Sequence, residues 1–370
     1  MKQYAVVMAI TLILAWVVER TYVVAPGSLA TKKKDRALVV LIYVVLTLFV
    51  GLRTHYNDTY TYRYFYKLTR PFPEFWETFS ITIADHPGFE LLSAWFRTEG
   101  VSEYTFILVC SAFSLLCTVW FLKKYSNNLL LTFFLFFATN TYMISAAAVK
   151  QSIAIGIGLL AIPFALEKKW IRFTVIVLAA AAFHPYVLFY LMIPFLTFKP
   201  WNKWSYIMLA SFICAGFMLE PLLGTLVDIT TMIGESYVEE RFIGEGINLF
   251  RVLVSNVPTV LTFFYQKRLF RDSRPIDHVI INLTMLNGAI MFVGIFGTAI
   301  YFSRMASYFT IAQCIALPWV IGKLNRNERF VYTSGMVIGY ALFFIYANMI
   351  SQSFDYNFSR MTLMEYLSLS

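Results

Sequence analysis

The sequence predicts an all-α polytopic integral membrane protein of about 10–12 transmembrane helices. Three observations predict it. The 370 residues are 59% hydrophobic with a mean hydropathy of +0.66, and only 14% are charged, against roughly a quarter in an average chain. Apolar runs recur from end to end, many of them long enough, at roughly 17–25 residues, to cross about 30 Å of hydrocarbon. Short basic clusters punctuate those runs, as they do in loops that orient a helical membrane protein. A β-barrel would instead show short alternating strands.

The runs fall at about 4–24, 37–52, 104–122, 128–146, 149–166, 172–183, 185–198, 204–222, 250–266, 279–300, 307–322 and 330–349. The first has no small-residue cleavage site followed by a soluble domain, so it reads as a retained span rather than a signal peptide. The clusters are Lys32-Lys33-Lys34 with Arg36, Lys123-Lys124, Lys168-Lys169 with Arg172, Lys199 with Lys203, Lys267-Arg268 with Arg271 and Arg274, and Lys323 with Arg326 and Arg329. The positive-inside rule wants all six on the cytoplasmic side.

The stretch 172–198 decides whether that is possible. As one span it would put Lys199 outside and reverse every later loop. As two short segments meeting at His184-Pro185, a re-entrant or short broken hairpin, it leaves all six clusters inside. Pro185 has no amide donor and disfavours helix at His184, so a break there has a local cause.

This topology leaves two large external segments within a single transmembrane domain spanning residues 1–370. The segment 53–103 is polar and aromatic, divided by Pro71, Pro73, Pro87 and Gly88; Glu74 to Ile83 and Phe89 to Phe96 read as amphipathic helices lying on the membrane. The segment 223–249 is acidic and glycine-punctuated, and the tail after about 350 is external too.

The net charge of +9 is accounted for by the basic loops and does not call for nucleic acid. Cys110, Cys117, Cys214 and Cys314 each lie inside an apolar run and none forms a CxxC pair, so they read as small core residues rather than a disulfide framework or metal site.

Ionisable groups at or within a bilayer are costly and mark functional sites by default. Asp58, His86, Lys150, His184 and Arg304 all fall on the external side. Arg53, closing the second span at Gly51-Leu52-Arg53, offers a fork suited to phosphate oxygens, or snorkels to headgroups. Asp58 is a general base, a sugar-hydroxyl acceptor, or a cap before Thr59. In Asp85-His86-Pro87-Gly88-Phe89-Glu90 a carboxylate or the imidazole can deprotonate a hydroxyl, or the residues serve turn chemistry. Lys150-Gln151 lies in a hairpin so short that the lysine sits near a helix end, placed for a phosphate or for headgroups. His184 lies mid-run beside a proline, at the apex of the proposed hairpin. Arg304, with Tyr308-Phe309 after it, and Arg251 top other spans on the same side, and such cations together suit a doubly charged pyrophosphate. No His/Asp/Glu cluster has metal-ligand spacing, so neither a metal nor another cofactor is expected.

The ordered blocks Gly51-Leu52-Arg53 with Asp58-Thr59 and Tyr62, then Lys150-Gln151-Ser152-Ile153-Ala154, then Phe183-His184-Pro185, then Arg304 with Tyr308-Phe309, resemble the EpsG family of Wzy-like polymerases. The likeness runs from about 50 to 320 and rests on the order of the four blocks. Two positions depart from the family pattern: Lys150 replaces an arginine and Asn57 a glycine. The resemblance implies a glycosyltransferase of the bacterial cytoplasmic membrane, its active site facing outward. It would join undecaprenyl-pyrophosphate-linked oligosaccharide repeats, as donor and acceptor, into exopolysaccharide, capsule or O-antigen. A chain-length regulator and a flippase are the further partners it implies. His184, Asp58, His86 and Arg304 would then be catalytic, and Arg53, Lys150, Gln151, Arg251, Arg304 and Tyr308 would bind the pyrophosphate substrate, without a metal. A lipid-linked oligosaccharide transporter and a single-transfer glycan ligase are the alternatives.

Overall fold

The computed structural model describes residues 2–21, 35–232, 245–350 and 358–369, and each apolar run read from the sequence carries a helix. In chain order these are α1 (Lys2–Arg20), α2 (Arg36–Gly51), strand β1 (Arg53–His55), α3 (Thr59–Leu68), α4 (Pro87–Thr98), α5 (Glu103–Tyr125), α6 (Leu129–Ala138), α7 (Thr141–Ala147), α8 (Val149–Leu166) and α9 (Trp170–Ala181). A 3₁₀ helix (Pro185–Thr197) follows, then α10 (Lys203–Phe217), α11 (Leu219–Met232), α12 (Leu249–Phe264), α13 (Gln266–Leu269), α14 (Pro275–Val293), α15 (Ala299–Gly322) and α16 (Arg326–Ile345). Strand β2 (Ser359–Arg360) and a C-terminal helix (Leu363–Leu369) end the chain.

Among the described residues six helices are long and apolar enough to cross a membrane, namely α1, α5, α8, α14, α15 and α16; α6 and α7 make a seventh if the bent pair counts as one span. Five shorter apolar helices, α2, α9, the 3₁₀ helix, α10 and α12, correspond to the remaining runs. The protein is an all-α polytopic membrane protein. By their contacts the residues form two compact units: Met1–Ile81, Pro87–Leu160 and Gly339–Ser370 in the first, Thr82–His86 and Ala161–Ile338 in the second.

In the first unit α2 packs on α1 and α5, and α1 also on α6. Its core is aromatic: Tyr4 stacks on Phe49, Tyr142 and Phe344 with ring centroids 5.7 to 6.1 Å apart. Because lipid is as apolar as leucine, helices there associate through close packing and hydrogen bonds rather than by escape from water. Two tyrosines supply such bonds, Tyr142 Oη donating to Leu46 O at 2.7 Å and Tyr43 Oη to Ala112 O at 3.1 Å. The 54° bend between α6 and α7 has local causes. Thr139 Oγ1 donates back to Leu135 O at 2.7 Å, competing with the helix ladder. Asn140 takes φ 58°, a left-handed conformation that asparagine tolerates, and its Oδ1 accepts from Asn348 Nδ2 at 3.0 Å.

In the second unit α14 is central, packed by α10, α12, α15 and the 3₁₀ helix. Its apolar sequence carries Asn282, Thr284 and Asn287 fully buried. Asn282 Nδ2 donates to Leu196 O and Phe198 O at 2.8 and 2.9 Å, closing the C-terminal end of the 3₁₀ helix. Asn287 Nδ2 donates to Ala306 O at 2.7 Å, and its Oδ1 accepts from Gln313, which also donates to Ser255 O at 2.7 Å. These amides tie α12, α14 and α15 together. Gly288 gives Asn256 room, since a Cβ there would overlap the Asn256 amide.

The hairpin expected at 172–198 is present. The start of α9 (Trp170, Phe173, Thr174) and the end of the 3₁₀ helix (Leu191, Pro194, Phe195) line one cleft, so the two arms run back along each other. Val187, Tyr190, Ile193 and Leu196 are buried at intervals of three, the repeat of a 3₁₀ helix, in which every third side chain eclipses. Thirteen residues in this form extend about 26 Å at roughly 2.0 Å per residue. The second arm therefore reaches nearly as far as a span of hydrocarbon, although it is short in sequence.

Several local expectations differ. Phe89 to Phe96 lies within α4, but Glu74 to Ile83 is a 3₁₀ turn (Glu74–Glu77) and irregular chain up to a second 3₁₀ turn that Ile83 opens (Ile83–Asp85), because two prolines precede it and β-branched residues follow. The run 204–222 breaks at Met218, where Pro221 in the first turn of α11 cannot continue an earlier helix. The run 279–300 ends at Gly294, so Arg304 lies inside α15 rather than in a loop. A Cβ at Gly294 would collide with Ile247 and Phe302, which leaves glycine as the residue that permits this close turn. Of the segment 223–249, α11 occupies 223–232, and 233–244 lie outside the described residues. Cys214 is exposed on α10, unlike the three other, buried cysteines.

Candidate functional site

The sequence-predicted residues divide between the two units. The first holds Arg53, Asp58, Lys150 and Gln151. Arg53 is buried at the start of β1, just past the end of α2. Its Nε donates to Thr59 Oγ1 at 3.0 Å, and its Nη1 donates to Ser111 Oγ at 2.8 Å and to Val50 O. Thr59 Oγ1 in turn donates to Tyr56 O at 2.6 Å. The guanidinium thus pins α2, α3 and α5, which a snorkelling arginine would not do. Burial lowers its pKa to about 10, so the charge persists at neutral pH.

Asp58 stands at the N-cap of α3, but its side chain makes no capping bond and is exposed. The alternative of a plain helix cap is therefore not what its carboxylate does. Lys150 and Gln151 lie in the first turn of α8, immediately after a break at Ala148. A cation there adds to the positive end of the helix dipole and favours an anion over that turn. Lys150 Nζ lies 5.2 Å from the Phe89 ring centroid on α4, and Gln151 is buried. Ser152 Oγ donates to Ile144 O at 2.9 Å, bracing the break.

The second unit holds His86, His184, Arg251, Arg304 and Tyr308. His184 ends the turn after α9 in an extended conformation and begins the 3₁₀ helix, where Pro185 takes the first position. The structure brings its ring to 5.6 Å from that of His86, centroid to centroid, at 27°, and 5.9 Å from that of Tyr308 on α15. Tyr308 is buried, and its carbonyl accepts from Tyr190 Oη at 2.7 Å. His86 adopts φ 52°, a left-handed backbone costly for a residue with a side chain. The 3₁₀ turn Ile83–Asp85 and Pro87 flank it, so the ring is held by its turn rather than by a helix. Two stacked imidazoles beside a phenol put three groups that can accept or hold a proton side by side. Arg304 is exposed in the second turn of α15, and Arg251 is half-buried in the first turn of α12. Among the described residues no three His, Cys, Asp or Glu side chains gather closely enough to hold a metal ion.

Two features escaped the sequence reading. The buried amides of α14 and α15 carry no charge, so a search for ionisable groups passed over them. Arg360 lies in the tail beyond the last apolar run, and only strand pairing places it opposite Arg53.

The fold defines a multi-pass membrane protein, with two histidines and a tyrosine side by side in one unit and a buried arginine and a helix-start lysine in the other. The chain belongs to the EpsG family, which it matches over residues 36–366, and this supports an exopolysaccharide-polymerase type of role. No curated protein and no solved structure matches it.

Proposed function

We propose that this protein is a glycosyltransferase that polymerises undecaprenyl-pyrophosphate-linked oligosaccharide repeats on the outer face of the bacterial cytoplasmic membrane. The observation that carries the reading is the stacked His86–His184 pair beside Tyr308, in which His184 and Tyr308 come from the blocks that resemble the family, in a chain that matches that family over residues 36–366. His184 takes the proton from the attacking hydroxyl of the acceptor; His86 and Asp58 are the alternative bases. The acceptor oxygen bonds to the anomeric carbon of the donor as the bond from that carbon to the pyrophosphate oxygen breaks. Undecaprenyl pyrophosphate leaves with the electron pair.

Such a leaving group needs cations, not covalent chemistry. Arg53 and Lys150 with Gln151 in one unit, and Arg251 and Arg304 with Tyr308 in the other, serve the pyrophosphates of the lipid-linked substrates. The outward orientation rests on the basic clusters, which the α9 hairpin allows to share the cytoplasmic side.

The test is purified protein in lipid nanodiscs, given a lipid-pyrophosphate repeat unit and EDTA, with product length read on a gel. A ladder supports a metal-independent polymerase. A single enlarged product points to a ligase, and no turnover by folded protein that binds the substrate points to a transporter.

A further inference from the structure

Arg53 is not alone at its end of the first unit. β1 and β2 pair antiparallel, with Arg53 opposite Arg360 and an irregularity before His55 pairs with Ser359. The C-terminal segment is strapped on by further contacts. Met361 N–H donates to Leu52 O at 2.9 Å, Phe358 stacks on Phe49 at 4.9 Å, and Tyr366 Oη lies 2.9 Å from Thr105 Oγ1. Directly opposed like charges on neighbouring strands destabilise a sheet. Among the described residues neither guanidinium has a carboxylate within ion-pair distance.

Among the described residues, Arg53 has an unused donor and the Arg360 side chain makes one hydrogen bond. Arg53 is 1% exposed, and its Nη2 is buried with no hydrogen-bond partner among the described residues. Arg360 is half-buried, with its guanidinium 5.5 Å from the Phe49 ring centroid and its Nε bonded to Gln3 Oε1 at 3.2 Å. Phe49 also packs on Tyr142. A buried cation with an unsatisfied donor is costly, and the strand register brings a second arginine to the same end of the unit. An anion with several oxygens offsets the cost, because a guanidinium fork meets phosphate oxygens two at a time.

We infer that Arg360, carried by the C-terminal strand, forms with Arg53 a two-arginine site for a phosphate or pyrophosphate group. This deepens the proposed function, on which its biological role rests, by making the C-terminal strap part of substrate binding. It also gives the strap a purpose that packing alone does not require.

The experiment measures binding of inorganic pyrophosphate and of farnesyl pyrophosphate to the full chain in nanodiscs. The variants are Arg360→Gln and Arg360→Lys, since Arg360 is less buried than Arg53 and its loss is better tolerated. Hydrogen exchange of the Met361 amide reports whether the strap stays docked. Arg360→Gln is expected to weaken binding about tenfold or more, the loss of a charge-assisted contact. Met361 protection stays at the wild-type level, and Arg360→Lys recovers part of the binding. Equal wild-type affinity for the two probes marks the bare anion as ligand, and tighter farnesyl pyrophosphate binding marks a lipid headgroup; either supports the site. Unchanged binding in Arg360→Gln overturns it, as does wild-type protein that binds neither probe. Weakened binding that always accompanies loss of Met361 protection also overturns it, leaving Arg360 as a strap anchor. The product ladder, run in parallel, separates the two readings. A wild-type ladder with Arg360-independent binding sinks only the site, and Arg360-dependent binding without a ladder sinks only the polymerase.

Discussion

Arg53→Gln removes a buried cation that holds three elements at once. The wild-type guanidinium donates to Thr59 Oγ1, Ser111 Oγ and Val50 O, and glutamine is too short to reach all three. Hydrogen bonds from a charged group contribute about 1.5–3 kcal/mol each, so the gross loss is roughly 5–9 kcal/mol. Relief from burying a charge returns part of this. The net destabilisation expected is therefore about 3–5 kcal/mol, most of it from neutral buried partners left unpaired. The assay is unfolding in detergent followed by tryptophan fluorescence, together with polymer yield in nanodiscs. Arg53→Lys keeps the charge but replaces a rigid fork by a flexible point charge, and it should recover only part of the stability. An Arg53→Gln protein as stable as the wild type would refute the pinning role. If that protein also made no polymer, Arg53 would belong to substrate binding alone.

Other substitutions separate fold from chemistry. His184→Ala is expected to lower polymerisation about 10²–10⁴-fold, the usual contribution of a general base, with the unfolding midpoint unchanged; a rate within a few-fold of wild type would remove His184 from that role. Asn287→Leu breaks the bonds to Ala306 O, Thr310 Oγ1 and Gln313. At about 0.6 kcal/mol for an average membrane hydrogen bond and about 1.7 at most, it should cost roughly 2–4 kcal/mol, and unchanged unfolding would show that the network is not cement. Lys150→Met should weaken binding of the lipid-pyrophosphate substrate about tenfold while the protein still inserts and folds; wild-type substrate binding would return Lys150 to a headgroup role. Pro185→Ala restores an amide donor at the hairpin turn and should lower yield or stability only slightly if Asn282 holds the 3₁₀ helix; complete misfolding would show the proline to be the determinant.

Much of the architecture was legible in the sequence. Apolar length, sparse charge and basic punctuation determined the helical membrane class and the place of nearly every helix, because in lipid the backbone must satisfy its own hydrogen bonds. Charge parity with Pro185 located the hairpin at His184. The ordered short motifs pointed to the family.

Tertiary structure alone decided how those residues are used. Periodicity could not separate α-helix from 3₁₀ helix in Pro185–Thr197, since that run is apolar on every face and its length came from packing on α14 and capping by Asn282. The pairing of His86 with His184 joins positions far apart in sequence, through a turn that no local pattern specifies. Arg53 read as an interfacial phosphate ligand because its charge is visible in sequence, whereas Thr59 and Ser111, which bind it, are ordinary polar residues. Arg360 was illegible for the same reason. A strand of two residues has no signature of its own, and it exists only because its partner strand satisfies its backbone.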